Sequence, residues 1–414
     1  MRSRIVLVGL FLATGCGVSH ASITAPPARP HELLFARSLP TLNAIDVATG
    51  RMAWSTGGAV AAPDWSRLVW GLPTTVGTDL VTLDPATGHT LTTQPLTGSL
   101  VVRAVAHDGA EVALVPTDQA LRGGYLPLGH ATTTVIVASP VSGAIRQYPL
   151  DGNFAPEAFS LDGQTLFVIQ YVPPTAPTGY QVRQMDLRSG QVSDVLTADK
   201  DLQKAMGGTA RTQVLAPGGH RLYTLYTQTE GSARRAFVHV LDLDHKLATC
   251  VDLPATFGSA PDGTTGLAVS PDGNHLYVAT TSGVIADLDT VRLSVTRTVT
   301  TDPTVAASPG DPLVGAAAAP GQLFLAASHR LAVIDTTRLS TTMVWPFSPS
   351  ISALQVDLER GRLWIGLPDR IASVDPANDR EVAALPVANV TEISHIGLAP
   401  PPLDPGRGGL QCAC

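Results

Sequence analysis

Charge is scarce in this chain. Charged residues make up 15% of its 414 residues, aromatic residues 5%, and the formal net charge is −7. A weakly acidic chain without a basic stripe excludes nucleic acid as an expected partner. After the N-terminus no apolar run is long enough to form a transmembrane helix.

The usual signatures of catalysis are missing as well. The chain has 4 cysteines and no C-x-x-C-H segment for haem attachment, no G-x-S-x-G elbow and no H-E-x-x-H helix. Its 11 histidines are scattered singly, without metal-ligand spacing. We therefore predict no catalytic residue, no bound cofactor and no metal ligand, and we lean towards a protein that is not an enzyme.

Turn-forming residues are abundant by contrast. Gly 38 and Pro 33, together with many Thr, Val and Ala residues, indicate short strands joined by many tight turns. The composition predicts an all-β fold.

The N-terminus has the features of a secretory signal. Arg2 and Arg4 precede nine apolar residues, 5–13, which are too few to span a bilayer, and LATGC ends at Cys16. This segment resembles a bacterial lipobox, although Ala13 stands where that motif usually has Leu. The resemblance implies a lipoprotein signal peptide at 1–15, acylation of Cys16, a Pro-rich tether at 16–30 and an extracytoplasmic, lipid-anchored location. An ordinary cleaved signal and an uncleaved anchor are the alternatives.

A two-hairpin unit repeats along residues 31–400. Its first hairpin is clearest in LAVSPDGNHLYVAT, residues 267–280, and occurs seven times at spacings of 39 to 56 residues, the length of a four-stranded blade. Its second hairpin, typified by AIDVATGRMAW at residues 44–54, occurs eight times. The missing strand of blade 1 is predicted in EISHIGLAP, residues 392–400, which closes the ring. We predict a single β-propeller of eight four-stranded blades, with seven as the alternative.

The repeats resemble YVTN-type, quinoprotein-like and WD-like propeller repeats. The segment AIDVATGRMAW fits the tryptophan-docking motif of quinoproteins, but Trp54 is its only tryptophan in that register. We therefore expect no bound quinone and interpret Trp54 as packing between blades. The resemblance implies the fold and leaves function open, because propellers include scaffolds, lactonases, dehydrogenases and receptors.

Ligands usually contact the loops and inner strands at the mouth of the channel. Charges leading into inner strands make Arg103, Glu157 and Arg211 the candidates for a ligand rim; the alternative is that they are simply solvated. No aromatic cluster in the sequence indicates a ligand. Cys250 is expected to pack as a small buried residue. Cys412 and Cys414, in a flexible tail at 401–414, form a possible disulfide; the alternatives are a thiol that couples to another molecule and no role.

These observations favour a monomeric, membrane-anchored propeller that acts as a non-enzymatic binding or scaffold module for an envelope protein or a cell-wall ligand. The alternative is an enzyme, either a lactonase-like hydrolase or a quinoprotein-like dehydrogenase, with its site at the channel mouth.

Overall fold

The computed structural model describes residues 32–398, except 120–127, 195, 198–205, 231, 303 and 309. The predicted signal peptide, tether and tail, with Cys16, Cys412 and Cys414, lie outside the described residues. Among these residues no helix is long and apolar enough to cross a membrane.

Thirty-three strands fill this part of the chain. Blades 1 to 4 contain β1 (Glu32–Ser38), β2 (Thr41–Asp46), β3 (Arg51–Thr56), β4 (Val60–Ala61), β5 (Leu68–Pro73), β6 (Gly77–Leu83), β7 (Thr90–Thr97), β8 (Leu100–Val105), β9 (Val112–Pro116), β10 (Thr132–Ala138), β11 (Ile145–Asp151), β12 (Asn153–Phe159), β13 (Thr165–Val172), β14 (Gly179–Asp186) and β15 (Val192–Asp194).

Blades 5 to 8 and the closing strand follow. They contain β16 (Leu196–Thr197), β17 (Thr209–Leu215), β18 (Arg221–Glu230), β19 (Ala233–Asp242), β20 (Leu247–Asp252), β21 (Thr265–Val269), β22 (His275–Thr280), β23 (Val284–Asp289), β24 (Ser294–Thr300), β25 (Leu313–Ala319), β26 (Gln322–Ala327), β27 (Arg330–Asp335), β28 (Ser340–Pro346), β29 (Ala353–Asp357), β30 (Arg362–Gly366), β31 (Ile371–Asp375), β32 (Arg380–Leu385) and β33 (Glu392–Leu398).

These strands form eight antiparallel four-stranded sheets, one per blade, which confirms the eight-bladed prediction over the seven-bladed alternative. Seven blades use four consecutive strands from the inner to the outer edge. In blade 5 the short strand β16 adds a parallel partner beside the outer strand β20. The helical segments of the described residues are one turn, α1 (Ala255–Gly258), and two short 3-10 turns, Thr117–Gln119 and Pro217–Gly219.

Ring closure occurs at the predicted place. Strand β33 pairs antiparallel with β1, with Leu34 opposite Ile396 and Ala36 opposite Ile393, and so occupies the inner position of blade 1. Ile393 is buried among side chains of blades 1 and 8. The C-terminal strand therefore joins the two ends of the ring and removes the open sheet edge that the N-terminal strands would otherwise expose.

The turns follow from side-chain chemistry. In the first hairpin of blade 6, Asp272 Oδ1 accepts a hydrogen bond from the Asn274 amide at 3.1 Å, and Gly273 has a φ of 74°. In the second hairpin of blade 1, Asp46 Oδ1 accepts a hydrogen bond from the Thr49 amide at 2.7 Å. An acidic acceptor followed by a residue that tolerates positive φ is what makes these sequences turn.

Packing between blades explains the tryptophan of the opening motif. Trp54 lies against Gly88 of blade 2 so closely that a Cβ on this glycine would come within 2.6 Å of the indole Cγ. Tyr148 covers Gly190 of blade 4 in a similar way, at 2.8 Å. An aromatic ring on an outer strand thus packs over a turn glycine of the next blade, a contact that needs no quinone.

Candidate functional site

The three rim candidates share a backbone feature. Arg103, Glu157 and Arg211 are each the extra residue of a β-bulge in the inner strands β8, β12 and β17 of blades 3, 4 and 5. A bulge leaves the extra residue outside the ladder and redirects its side chain. Three successive bulges therefore turn three charged side chains out of their sheets.

These side chains lie around one cavity between blades 4 and 5, here called the blade 4–5 cleft. Its volume is about 290 Å³. The residues that line it are Arg103, Glu157, Ile169, Tyr171, Tyr180, Gly208, Ala210, Arg211, Thr212, Gln213, Thr224 and Tyr226. The structure thus brings all three predicted candidates to one site, although they are far apart in sequence.

Tyrosine rings form the apolar wall of the cleft. Tyr171, Tyr180 and Tyr226 are 5%, 3% and 6% exposed. The rings of Tyr180 and Tyr226 stack with centroids 5.2 Å apart, and Tyr226 stacks on Phe237 at 5.4 Å. Burial raises the pKa of Tyr171 to about 12 and raises the pKa values of Tyr180 and Tyr226 further above their ordinary value. All three phenols are therefore neutral at physiological pH.

The two arginines differ in their bonding. Arg211 donates from Nε to Thr227 Oγ1 at 2.6 Å and pairs with Asp262 Oδ1 of the neighbouring blade at 2.9 Å. Within the described ranges Arg103 has neither a hydrogen bond nor an ion pair through its guanidinium, and its interaction with Glu157 is through space. Arg211 is held in place, whereas the donors of Arg103 are open to a ligand.

Glu157 is half-buried, and its side chain contacts the cavity. Gln213 Nε2 donates to Glu157 Oε1 at 2.7 Å and also contacts Thr224 Oγ1 at 3.0 Å. Burial raises the pKa of the Glu157 carboxyl above its usual value, and the Gln213 hydrogen bond and the Arg103 charge oppose this effect only in part. The protonated acid is thereby favoured relative to a surface glutamate.

A second cavity, of about 270 Å³, continues from the cleft along the inner strands of blades 2 to 5. Arg103, Glu157 and Gln213 line both cavities. Glu157 therefore lies where the two spaces meet, and a molecule in either of them would contact its carboxyl group.

A third cavity, of about 520 Å³, lies between blades 6 and 7, but its polar groups already have partners. Asp287, 1% exposed, contacts His275 Nδ1 and Arg297, each at 2.8 Å. Arg297 also donates to the carbonyl oxygens of Thr336 and Thr337. These contacts fasten two blades together and leave few donors for a ligand.

The tyrosine cluster is a correction to the sequence analysis, which recognised no aromatic cluster. The sequence did contain a signal for this cluster: the tyrosines are unevenly distributed, and four of the 7 fall within residues 171–226. Strands β13, β14 and β18 bring Tyr171, Tyr180 and Tyr226 together across a blade interface. No group of three or more His, Cys, Asp or Glu residues in the described part of the chain is arranged to hold a metal ion.

Comparisons with known proteins support the fold. No protein-family model matches the chain, and no curated protein does. Dihydro-heme d1 dehydrogenase NirN is 12% identical over 90% of this chain and 78% of its own, with a TM-score of 0.54. BamB from Moraxella catarrhalis is 14% identical over 83% and 92%, with a TM-score of 0.45. Sqt1 from Saccharomyces cerevisiae is 8% identical over 80% and 85%, with a TM-score of 0.49. At 12% identity the likeness to NirN concerns the fold alone.

Proposed function

We propose that this chain is an extracytoplasmic, lipid-anchored propeller that binds a small organic anion in the blade 4–5 cleft. The observation that carries the proposal is the set of three inner-strand bulges that direct Arg103, Glu157 and Arg211 towards one tyrosine-walled cavity. Apolar walls with a few convergent polar groups are typical of ligand sites.

The charge of the ligand follows from the bonding of the cleft. Asp262 already pairs with Arg211, and Glu157 accepts a hydrogen bond from Gln213. The open guanidinium of Arg103 is then the dominant unpaired charge. A carboxylate fits it best, because two oxygens match the parallel N–H groups of arginine.

The walls limit the body of the ligand. Stacked tyrosines favour a flat apolar group, and a volume of about 290 Å³ is at the lower end of ordinary ligand pockets. We therefore assign the cleft to a planar carboxylate or to the carboxylate end of an envelope component. Anchoring through Cys16 would hold the site near such ligands.

Benzoate is the minimal probe of this assignment, and methyl benzoate is its uncharged counterpart. Calorimetric titration should show binding of benzoate and none of the ester. Arg103→Gln should weaken benzoate binding by roughly 10- to 100-fold, because a charge-assisted hydrogen bond contributes about 1.5–3 kcal/mol. The control is Arg188→Gln, at an exposed turn of blade 4. Equal binding of the acid and the ester, or equal binding by the two variants, would contradict the proposal.

Catalysis in the same cleft is the second candidate, and the raised pKa of Glu157 is the observation that favours it. A glutamic acid whose pKa is raised donates a proton at a higher pH than an ordinary glutamic acid, which suits a general acid. Glu157→Gln separates the two functions: an enzyme would lose turnover of an ester or lactone substrate, whereas a binding module would show no turnover to lose.

A further inference from the structure

A group of soft metal-binding atoms lies in the same blade interface, beyond the tyrosine wall. His239 and Cys250 are direct partners on strands β19 and β20, with Cys250 Sγ 3.6 Å from His239 Nδ1. Met206 joins them from the segment that precedes β17, with its Sδ 3.7 Å from Cys250 Sγ. These three residues are here called the soft-donor cluster.

The surroundings of the cluster hold polar groups without well-formed hydrogen bonds. His239 is 5% exposed, and its Nε2 has no hydrogen-bond partner in the described part of the chain. The hydroxyl of Tyr180, a residue 3% exposed, makes no well-formed hydrogen bond there, and its polar neighbours are the Tyr226 hydroxyl and Cys250. The contact of His239 with Cys250 is made by Nδ1, so this is the nitrogen available to a metal ion, and Nε2 carries the ring proton when Nδ1 is a ligand.

We propose that Met206, His239 and Cys250 bind one copper(I) ion. Thiolate and thioether sulfur select Cu(I), and a neutral imidazole suits copper as well. Metal–nitrogen bonds of about 2.0 Å and metal–sulfur bonds of about 2.3 Å, the values of zinc sites, place neighbouring ligand atoms roughly 3.5–3.9 Å apart. The Cys250–His239 and Cys250–Met206 separations, 3.6 and 3.7 Å, fall in this range.

Charge favours Cu(I) over a divalent ion. On binding, the Cys250 thiol releases its proton to solvent, a Cu–S bond forms and copper stays in the +1 state, so no oxidant or reductant is needed. One thiolate and one Cu(I) ion sum to zero charge, which suits a buried site, whereas Zn²⁺ would leave an uncompensated positive charge.

The site has a route from solvent and a source of hydrogen bonds to the metal-bound sulfur. Met206 and Cys250 are only partly buried, while His239 closes the inner side. Once Cys250 is a thiolate, the Tyr180 hydroxyl gains a charged acceptor nearby. Outer hydrogen bonds of this kind orient metal ligands and tune their affinity. The inference is independent of the anion site proposed for the cleft.

The test is an anaerobic Cu(I) titration against the chelator bathocuproine disulfonate. The protein is the full chain with Cys16, Cys412 and Cys414 changed to serine, which leaves Cys250 as the one remaining thiol. We expect one equivalent of Cu(I) to bind and X-ray absorption to show sulfur and nitrogen ligands.

Variants identify the ligands. Cys250→Ser should weaken Cu(I) binding by roughly 100-fold or more, and Met206→Leu by about tenfold. Met343→Leu, a change at a half-exposed methionine of blade 7, is the control and should leave affinity unaltered. Failure to bind Cu(I), retention of the ion by a folded Cys250→Ser variant, or equal affinities of the two Met→Leu variants would each overturn the site. Should Cys250→Ser fail to fold, the pair of Met→Leu variants still decides.

Discussion

Replacing the buried Tyr180 and the half-buried Tyr148 by phenylalanine should change stability in opposite directions. The Tyr180 hydroxyl is buried next to the Tyr226 hydroxyl and makes no well-formed hydrogen bond in the described part of the chain. The Tyr148 hydroxyl donates to the Leu187 carbonyl oxygen at 2.5 Å. The same single oxygen is removed in both variants, so the difference between them isolates the state of the hydroxyl.

The magnitudes follow from these two environments. An unpaired buried hydroxyl costs about 1–3 kcal/mol, so we expect Tyr180→Phe to raise the free energy of unfolding by about 1–2 kcal/mol once imperfect packing around the ring is allowed for. Tyr148→Phe should lower it by about 1 kcal/mol, the net value of an ordinary hydrogen bond. The loss stays small because Arg146 also donates to the Leu187 carbonyl and keeps it satisfied.

Urea unfolding of both variants and the parent chain at pH 7 measures these differences. A Tyr180→Phe variant that is destabilised as much as Tyr148→Phe would refute the reasoning, because the Tyr180 hydroxyl would then have a partner in the folded protein. Cu(I) provides an internal check: with the ion bound, the stabilisation by Tyr180→Phe should shrink, since the hydroxyl then interacts with the thiolate.

Three further predictions concern the acid in the channel, the closing strand and the blade contacts. Glu157→Gln should raise the free energy of unfolding at pH 7 and change it little below pH 4, as measured by urea unfolding across this pH range. The pKa of Glu157 is raised in the folded state, so the parent chain loses stability as pH rises through that pKa, whereas the uncharged glutamine does not. Ile393→Ala should lower the free energy of unfolding by about 3 kcal/mol in the same assay, because it removes three buried carbon groups of about 0.8 kcal/mol each and leaves a cavity. The control, Ile145→Ala at an exposed site, should lower it by less than about 0.5 kcal/mol. Gly88→Ala should lower the melting temperature well beyond Gly143→Ala, because both sites have positive φ but only the first would place a Cβ against the tryptophan ring.

Much of the fold could be predicted because its rules are local. The hairpin of Asp272 and Gly273 recurs seven times and the second hairpin eight times, so counting the hairpins counts the blades. The unmatched first hairpin of blade 1 identified EISHIGLAP as the closing strand, and β33 occupies that place. Both inferences need only the period of the repeat and the rule that a ring leaves no open edge.

The site could be predicted only in part, because it depends on contacts between blades. Arg103, Glu157 and Arg211 could be predicted as site residues because they are charged and lie next to inner strands. Their orientation could not be predicted, because it depends on β-bulges, and no pattern in the sequence indicates where the strand register shifts. The pairing of His239 with Cys250 follows from one hairpin and was accessible to sequence reasoning. The position of Met206 beside Cys250 could not be predicted from the sequence, because it depends on how blade 4 is connected to blade 5.

That connection also explains why the candidate sites lie in this interface. Outer strand β15 of blade 4 has only three residues, and β16 then pairs with the outer strand of blade 5 instead of extending blade 4. The inner strands β12 and β17 pack less closely on each other than β17 and β21 do. The resulting space is lined by polar and aromatic groups such as Arg103, Glu157 and Tyr226. Because unpaired polar groups reduce stability, an interface of this composition is better explained by ligand binding than by the structural needs of the ring.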